Sequence, residues 1–237
     1  MKTGVSPAAV AILQLHTQGM YINIHTHTAP VNGVWALQNR RESETLESAA
    51  GLYSMGIHPW HIDPVHWENQ LDTLRRNSQD TRVLAIGETG LDKACSTPFP
   101  LQQQLFAAQV EWANSQEKPL VIHCVRAWDD VLSQLENAQN KVPVIFHGFA
   151  KNRQLAQRII KAGHYISLGK ALQFARVQEV LAVLPADRIF LETDDAYDIG
   201  IETIYNLAAT ALSIDHNSLV LQIQKNAETV LGTGILL

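Results

Sequence analysis

Arg82-Val83-Leu84-Ala85-Ile86-Gly87-Glu88-Thr89-Gly90-Leu91-Asp92 begins as an apolar run and ends with carboxylates set among glycines. A short, nearly continuous apolar run bounded by turn residues reads as a strand covered on both faces. Glu88 then falls just beyond the strand, between glycines. The same theme recurs in both directions. Upstream lie apolar runs at 21–24, 34–37 and 52–57; downstream lie runs at 120–122, 142–146, 165–168 and 188–191.

Segments with helical spacing separate most of these runs. Trp67, Leu71 and Leu74 fall at i, i+4 and i+7, as do Leu101, Leu105 and Ala108, with Trp112 next on that face. Trp128, Val131, Leu132 and Leu135 mark another stripe, and Val177, Val180, Leu181 and Leu184 a further one. Asn152 is placed to cap a helix carrying Leu155 and Ile159, with Gly163 at its end. A last helix is expected from about Asn217 to Gly232.

Strands alternating with helices imply a parallel sheet, and eight runs imply a (β/α)8 TIM-type barrel over residues 20–237, preceded by an extension at 1–19. One join is awkward: only residues 28–33 separate the first two runs, whereas a parallel crossover usually takes a dozen residues or more. Either 34–37 is not a regular barrel strand, or the barrel is distorted or shortened there.

With 237 residues, 46% of them hydrophobic, the chain can bury one substantial core. The formal net charge of -5 gives no overall positive field for non-specific nucleic-acid binding, although a local basic rim is compatible with it. Cys95 and Cys124 are the only cysteines, which argues against a disulfide framework and for a reducing compartment. The first residues superficially resemble a signal peptide, but His16, Thr17 and Gln18 stand where a small-residue cleavage site belongs. No run is long enough to span a bilayer. A cytoplasmic monomer, not associated with a membrane, is the expectation.

Chemistry in such a barrel gathers at the C-terminal ends of the strands. The polar residues there are His25 and His27, then His58, Glu88, His123, His147 and Asp194. Alternate residues of an extended chain point to one side, so His25 and His27 can reach one metal ion. Each residue alone is more often a capped loop residue or a solvated one. Four imidazoles, His58 set aside, and two carboxylates converging on one barrel mouth are another matter, because together and unpaired they are costly to bury. Metal ions remove that cost.

These segments resemble the TatD-type deoxyribonucleases, metal-dependent relatives of the amidohydrolase-like barrels. The resemblance rests on His25-Thr26-His27, Gly56-Ile57-His58-Pro59, Gly87-Glu88-Thr89-Gly90-Leu91-Asp92, Lys118-Pro119-Leu120-Val121-Ile122-His123, His147-Gly148-Phe149, Leu191-Glu192-Thr193-Asp194 and Asn226-Ala227, in that order. It implies two divalent cations (magnesium, manganese, zinc or cobalt). His25, His27 and Asp194 would hold one, His123 and His147 the other, with Glu88 bridging. Glu88 and Asp194 are then the catalytic residues, Asp194 as general base for an attacking water. His58 and Arg126 are the expected substrate contacts, and single-stranded or end-exposed DNA the expected substrate.

The sequence departs from the family pattern in places. Asn23 replaces a usual Asp, Val125 stands where Arg is expected with Arg126 one place later, Asp195-Ala196 replaces Ala-Pro, and the loops after His27 and Asp194 are short. Two other readings follow: a hydrolase of small phosphoesters, amides or cyclic amides on the same barrel, and a metal-binding scaffold without turnover.

Overall fold

The computed structural model describes residues 19–29, 31–46 and 51–233. Eight strands lie side by side in sequence order, every neighbouring pair parallel. They are β1 (Tyr21–Thr26), β2 (Val34–Arg41), β3 (Leu52–Gly56), β4 (Val83–Asp92), β5 (Leu120–Val125), β6 (Val144–Phe146), β7 (Tyr165–Leu168) and β8 (Ile189–Leu191). A parallel bridge between Thr26 and Asp194 brings the two edges together, giving a nearly closed (β/α)8 barrel. Helices α1 (Trp67–Asn77), α2 (Phe99–Gln116), α3 (Trp128–Asn137), α4 (Arg153–Lys161) and α5 (Ala175–Leu181) follow β3 to β7 in turn, and α6 (Ile201–Leu212) and α7 (His216–Leu231) follow β8.

The second strand is regular. β2 pairs with both neighbours and runs past 37 to Arg41. Tyr21 pairs with Val34, so the chain leaving Thr26 must return to the level of Tyr21, roughly 17 Å at 3.3 Å per residue. Residues 27–33 extended reach about 23 Å, so no helix is needed for the return. The irregularity lies on β1, whose register shifts between Asn23 and Thr26.

β4 also extends beyond the expected run, and Glu88 sits inside it. Ile86 pairs with Leu120 and Thr89 with Ile122, so β4 uses one more residue than β5 across this stretch. Such a bulge resets which face the following side chains point to. The flanking glycines fit the close approach this creates. A Cβ on Gly90, where φ is 146°, would lie 1.9 Å from the carbonyl oxygen of His123.

Ile22, Ile24, Ile86, Val121, Ile145, Ile166 and Phe190 are fully buried in the main core. A second cluster, including Tyr53, Met55, Leu71, Leu74 and Leu105, packs α1 and α2 against β3. Each such side chain contributes about 1.5–3 kcal/mol by leaving water. Asn23, buried at the closing seam, donates from Nδ2 to Thr193 Oγ1 (2.8 Å) and accepts from Thr193 N (3.0 Å). An Asp carboxylate there could not make the first of these bonds as donor.

The expected caps are present: Asn152 accepts from Leu155 N at 3.0 Å, and Gly163 follows α4 with φ 89°. α7 begins at His216, one residue before expectation, because Asp215 accepts from Ser218 N at 3.0 Å. Asn226 of that helix is buried and donates to the carbonyls of Ala186 (2.8 Å) and Ile189 (2.9 Å), which pins α7 to the start of β8. α6 lacks a side-chain cap, so nothing in its sequence announces its start. The expected extension at 1–19 lies, except for Gly19, outside the described residues. Among the described residues no helix is long and apolar enough to cross a membrane.

Candidate metal centre

The strand ends bring all six proposed ligands to one place. Asp194 adopts a left-handed backbone (φ 53°), which Asp tolerates better than most residues. Its N–H donates to the carbonyl of His25 (3.0 Å), and its carbonyl accepts from the N–H of His27 (3.1 Å). The loop after β8 is thereby laced to β1, and the Asp194 carboxylate is carried to the two imidazoles. Oδ1 lies 3.4 Å from His25 Nε2 and 3.5 Å from His27 Nε2.

Glu88 stands at the middle, and its two oxygens have different neighbours. Oε2 is 3.7 Å from His25 Nε2 and 3.6 Å from His27 Nε2. Oε1 is 2.8 Å from His123 Nδ1, 2.8 Å from His147 Nε2 and 3.1 Å from His58 Nε2.

These residues fit a metal ion. His25 is fully buried, yet neither of its ring nitrogens has a hydrogen-bond partner. An unsatisfied buried imidazole is costly unless something else takes its lone pair. Ligands on one tetrahedral ion with bonds of 2.0–2.2 Å stand about 3.3–3.6 Å apart. The four separations between the His25 and His27 Nε2 atoms and the Asp194 Oδ1 and Glu88 Oε2 atoms run from 3.4 to 3.7 Å, too long for good hydrogen bonds and close to that spacing.

The protonation pattern fits as well. Asp92, buried at the end of β4, faces His123 Nε2 at 3.3 Å, so the ring can keep its proton there and turn Nδ1 inward. Glu192, also buried, accepts from Gly148 N at 2.6 Å and faces His147 Nδ1 at 3.6 Å, which leaves His147 Nε2 for the centre. Carboxylates behind metal-binding imidazoles set tautomer and orientation in this way. His58 differs. Its Nδ1 accepts from Trp60 N at 3.1 Å, so a neutral ring carries its proton on Nε2, and burial lowers its pKa and favours that neutral form. His58 therefore turns its Nε2–H toward Glu88 Oε1, 3.1 Å away, from the wall of the cavity.

Charge is concentrated here. Burial alone would raise the Glu88 pKa, but the imidazoles of His147, His123 and His27 outweigh it and hold the carboxyl well below its usual range. Burial would lower His147, yet the charges of Glu88 and Glu192 push it well above the ordinary imidazole value. Burial likewise opposes ionisation of Asp194, and attraction to the His25 imidazole prevails, so its pKa is lowered.

A cavity of about 380 Å³ opens over the centre, lined by His27, His58, Glu88, His123, His147 and Asp194 and extending past Asn39, Arg41, Glu44, Trp60, His61 and Asp195. Arg126 is exposed and is not among the lining residues. The sequence does not single out Asp92 and Glu192 as site residues, although both stand in the same segments as Glu88 and Asp194. The signal for them is chemical: an imidazole that turns one nitrogen to a metal needs a partner for the other. Arg41 escapes the sequence reading because the apolar run ends at 37, whereas the strand continues to Arg41.

Comparison with known proteins agrees with this geometry. A family model described as TatD related DNase matches residues 13–231. An uncharacterized metal-dependent hydrolase of Buchnera aphidicola is 34% identical over 151 residues, covering 62% of this chain and 56% of that protein. A protein of Shigella flexneri named 3'-5' ssDNA/RNA exonuclease TatD is 31% identical over 183 residues, 71% of this chain and 69% of that one. The chain thus spans little more than half the length of the Buchnera relative. Among solved structures, YjjV, a TatD homologue of Escherichia coli, superimposes with a TM-score of 0.78 over 89% of this chain and 97% of its own, at 22% identity. A TatD family hydrolase of Entamoeba histolytica gives a TM-score of 0.73 over 90% of this chain and 98% of its own, at 15% identity. At these identities the likeness speaks for the fold. From the family model and the order of its motifs along the barrel, the chain belongs to the TatD related DNase family.

Proposed function

We propose that the chain is a phosphodiesterase that uses two divalent cations to cleave DNA at or near the end of a single strand. One observation carries the reading: the two oxygens of Glu88 face two separate groups of imidazoles, as a bridging carboxylate's would. His25, His27 and Asp194 would hold one ion, and His123 and His147 the other. When bound, such ions polarise a phosphate and make an attacking water acidic. Their imidazole and carboxylate donors suit zinc, manganese or cobalt, whereas magnesium favours oxygen ligands.

Asp194 is ionised, borders the cavity and is partly exposed, so it can take the proton of the attacking water. Asp92 and Glu192 keep His123 and His147 turned toward the centre. His58 lines the cavity beside Glu88, and its Nε2–H would pass from the Glu88 carboxylate to a phosphate oxygen once that carboxylate is held by the ions. All these groups come from one barrel, so a single chain suffices. The name of the Shigella relative supports a single-stranded polynucleotide as substrate.

A second reading, hydrolysis of a small phosphoester or amide, draws on the modest cavity and on Glu44 and Asp195 at its wall, which oppose a polyanion. The test is hydrolysis of a short single-stranded DNA and of bis(p-nitrophenyl) phosphate with manganese, magnesium, cobalt or zinc. Salt-sensitive binding and cleavage of the DNA support the nuclease. Intact diesters with every metal would transfer the weight to the small-molecule reading.

A further inference from the structure

More than half of the cavity lining does not belong to the ligand set. Asn39, Arg41 and Glu44 come from the end of β2 and the turn beyond it, and Trp60 and His61 from the turn after β3. This side of the cavity has its own chemistry.

Trp60 is 60% exposed, a large apolar ring left in solvent beside a cluster of charges. It is nonetheless held in place. Its Nε1 donates to Asp92 Oδ2 at 2.6 Å, and its backbone N–H donates to His58 Nδ1 at 3.1 Å. The ring meets His58 and His123 edge-on, with centroids 5.0 Å and 5.9 Å away. These contacts fix the indole while leaving most of its surface uncovered. A rigid, open aromatic surface is what a nucleobase stacks on.

Arg41 supplies the second element. Glu44 accepts from its Nε at 2.9 Å and from its backbone N at 3.0 Å. The terminal nitrogens of the guanidinium have no partner among the described residues and remain available to a phosphate oxygen. About 380 Å³ lies near the lower end of small-molecule sites, room for one nucleotide unit and too little for a duplex.

We propose that Trp60 and Arg41 form a subsite for the terminal nucleotide of a single strand, its base on the indole and a phosphate against the guanidinium. The proposal rests on the phosphodiesterase reading for its substrate. Because Asp92 joins Trp60 to His123, the platform and the ligand set are held in one frame.

The test is calorimetric titration of the manganese-loaded protein with 2'-deoxyadenosine 5'-monophosphate and with 2-deoxyribose 5-phosphate, which lacks the base. Wild type should bind the nucleotide roughly ten-fold or more tightly than the sugar phosphate. Trp60→Phe, which keeps a ring and loses the indole N–H, should retain most of that preference. Trp60→Ala should bring it to within about two-fold, and Arg41→Ala should weaken both probes alike. A preference that survives Trp60→Ala overturns the subsite. So does an equal loss in the Phe and Ala variants, which would make the Asp92 tether the active feature. DNA cleavage is measured alongside. Wild type that cleaves DNA but shows no base preference refutes the subsite alone; wild type that prefers the nucleotide but leaves DNA intact refutes the nuclease reading and supports the subsite.

Discussion

Asp92 Oδ2 faces Nε2 of His123 at 3.3 Å, on the side of the ring away from Glu88. In the proposed centre that contact would leave Nδ1 of His123 for the ion, because a neutral imidazole has one lone pair to offer. Burial opposes ionisation of Asp92, but the Trp60 indole N–H outweighs it and keeps the carboxyl below its usual pKa. Asp92→Asn should therefore lower the affinity of one metal site by about 10–100-fold while leaving the fold intact. Competition with a chromophoric chelator measures this; unchanged affinity would show that the contact does not orient the ring.

Glu88 and His123 should differ in what their loss empties. Glu88→Ala should disturb both ions and His123→Ala chiefly one, starting from two per chain in protein loaded with manganese or zinc. Elemental analysis with anomalous diffraction gives the count. Full occupancy in both variants would sink the bridging assignment.

Asp194→Asn should keep the barrel and at least one ion while cutting turnover by about 10²–10⁴-fold, since an amide cannot take a proton from water. Asp195 borders the same cavity and is the obvious substitute, so the double change should be slower still. Near-normal rates at full metal occupancy in the double variant would remove Asp194 from the chemistry.

Gly90 has no room for a methyl group. Gly90→Ala places a carbon 1.9 Å from the His123 carbonyl oxygen in a backbone conformation that L-residues avoid. Strand separation or a changed φ should cost several kcal/mol, and each kcal/mol lowers Tm by about 2–4 °C in a chain of this size. A fall of less than about 4 °C in a thermal melt would mean that β4 and β5 do not approach this closely.

Cys124 should be chemically silent. Burial pushes its thiol up to about 12, so at pH 8 only about one molecule in 10⁴ carries the reactive thiolate. Iodoacetamide at pH 8 should label Cys95 alone in the native protein and both cysteines in urea, as read by peptide mass mapping. Rapid labelling of native Cys124 would place it nearer the surface.

Much of the molecule was written along the chain. The apolar runs gave the strands because a strand covered on both faces must be apolar throughout, and the caps at Asn152 and Gly163 act on neighbours a few residues away. His25, His27, His58, Glu88, His123, His147 and Asp194 were legible because barrel topology sends every strand end to the same mouth. The tertiary structure alone decided the rest, since it depends on groups far apart in sequence. It made 34–41 a full strand, because the distance to be recrossed beside β1 is set by pairing register. It brought Asp92 behind His123 and Glu192 behind His147, and gave Asn23 to Thr193 across the closing seam. It left Arg126 outside the cavity and placed Arg41 and Trp60 on its wall. A sequence records which donors are available; the direction each one faces is set by bulges, left-handed residues and buried partners that exist only once the barrel has closed.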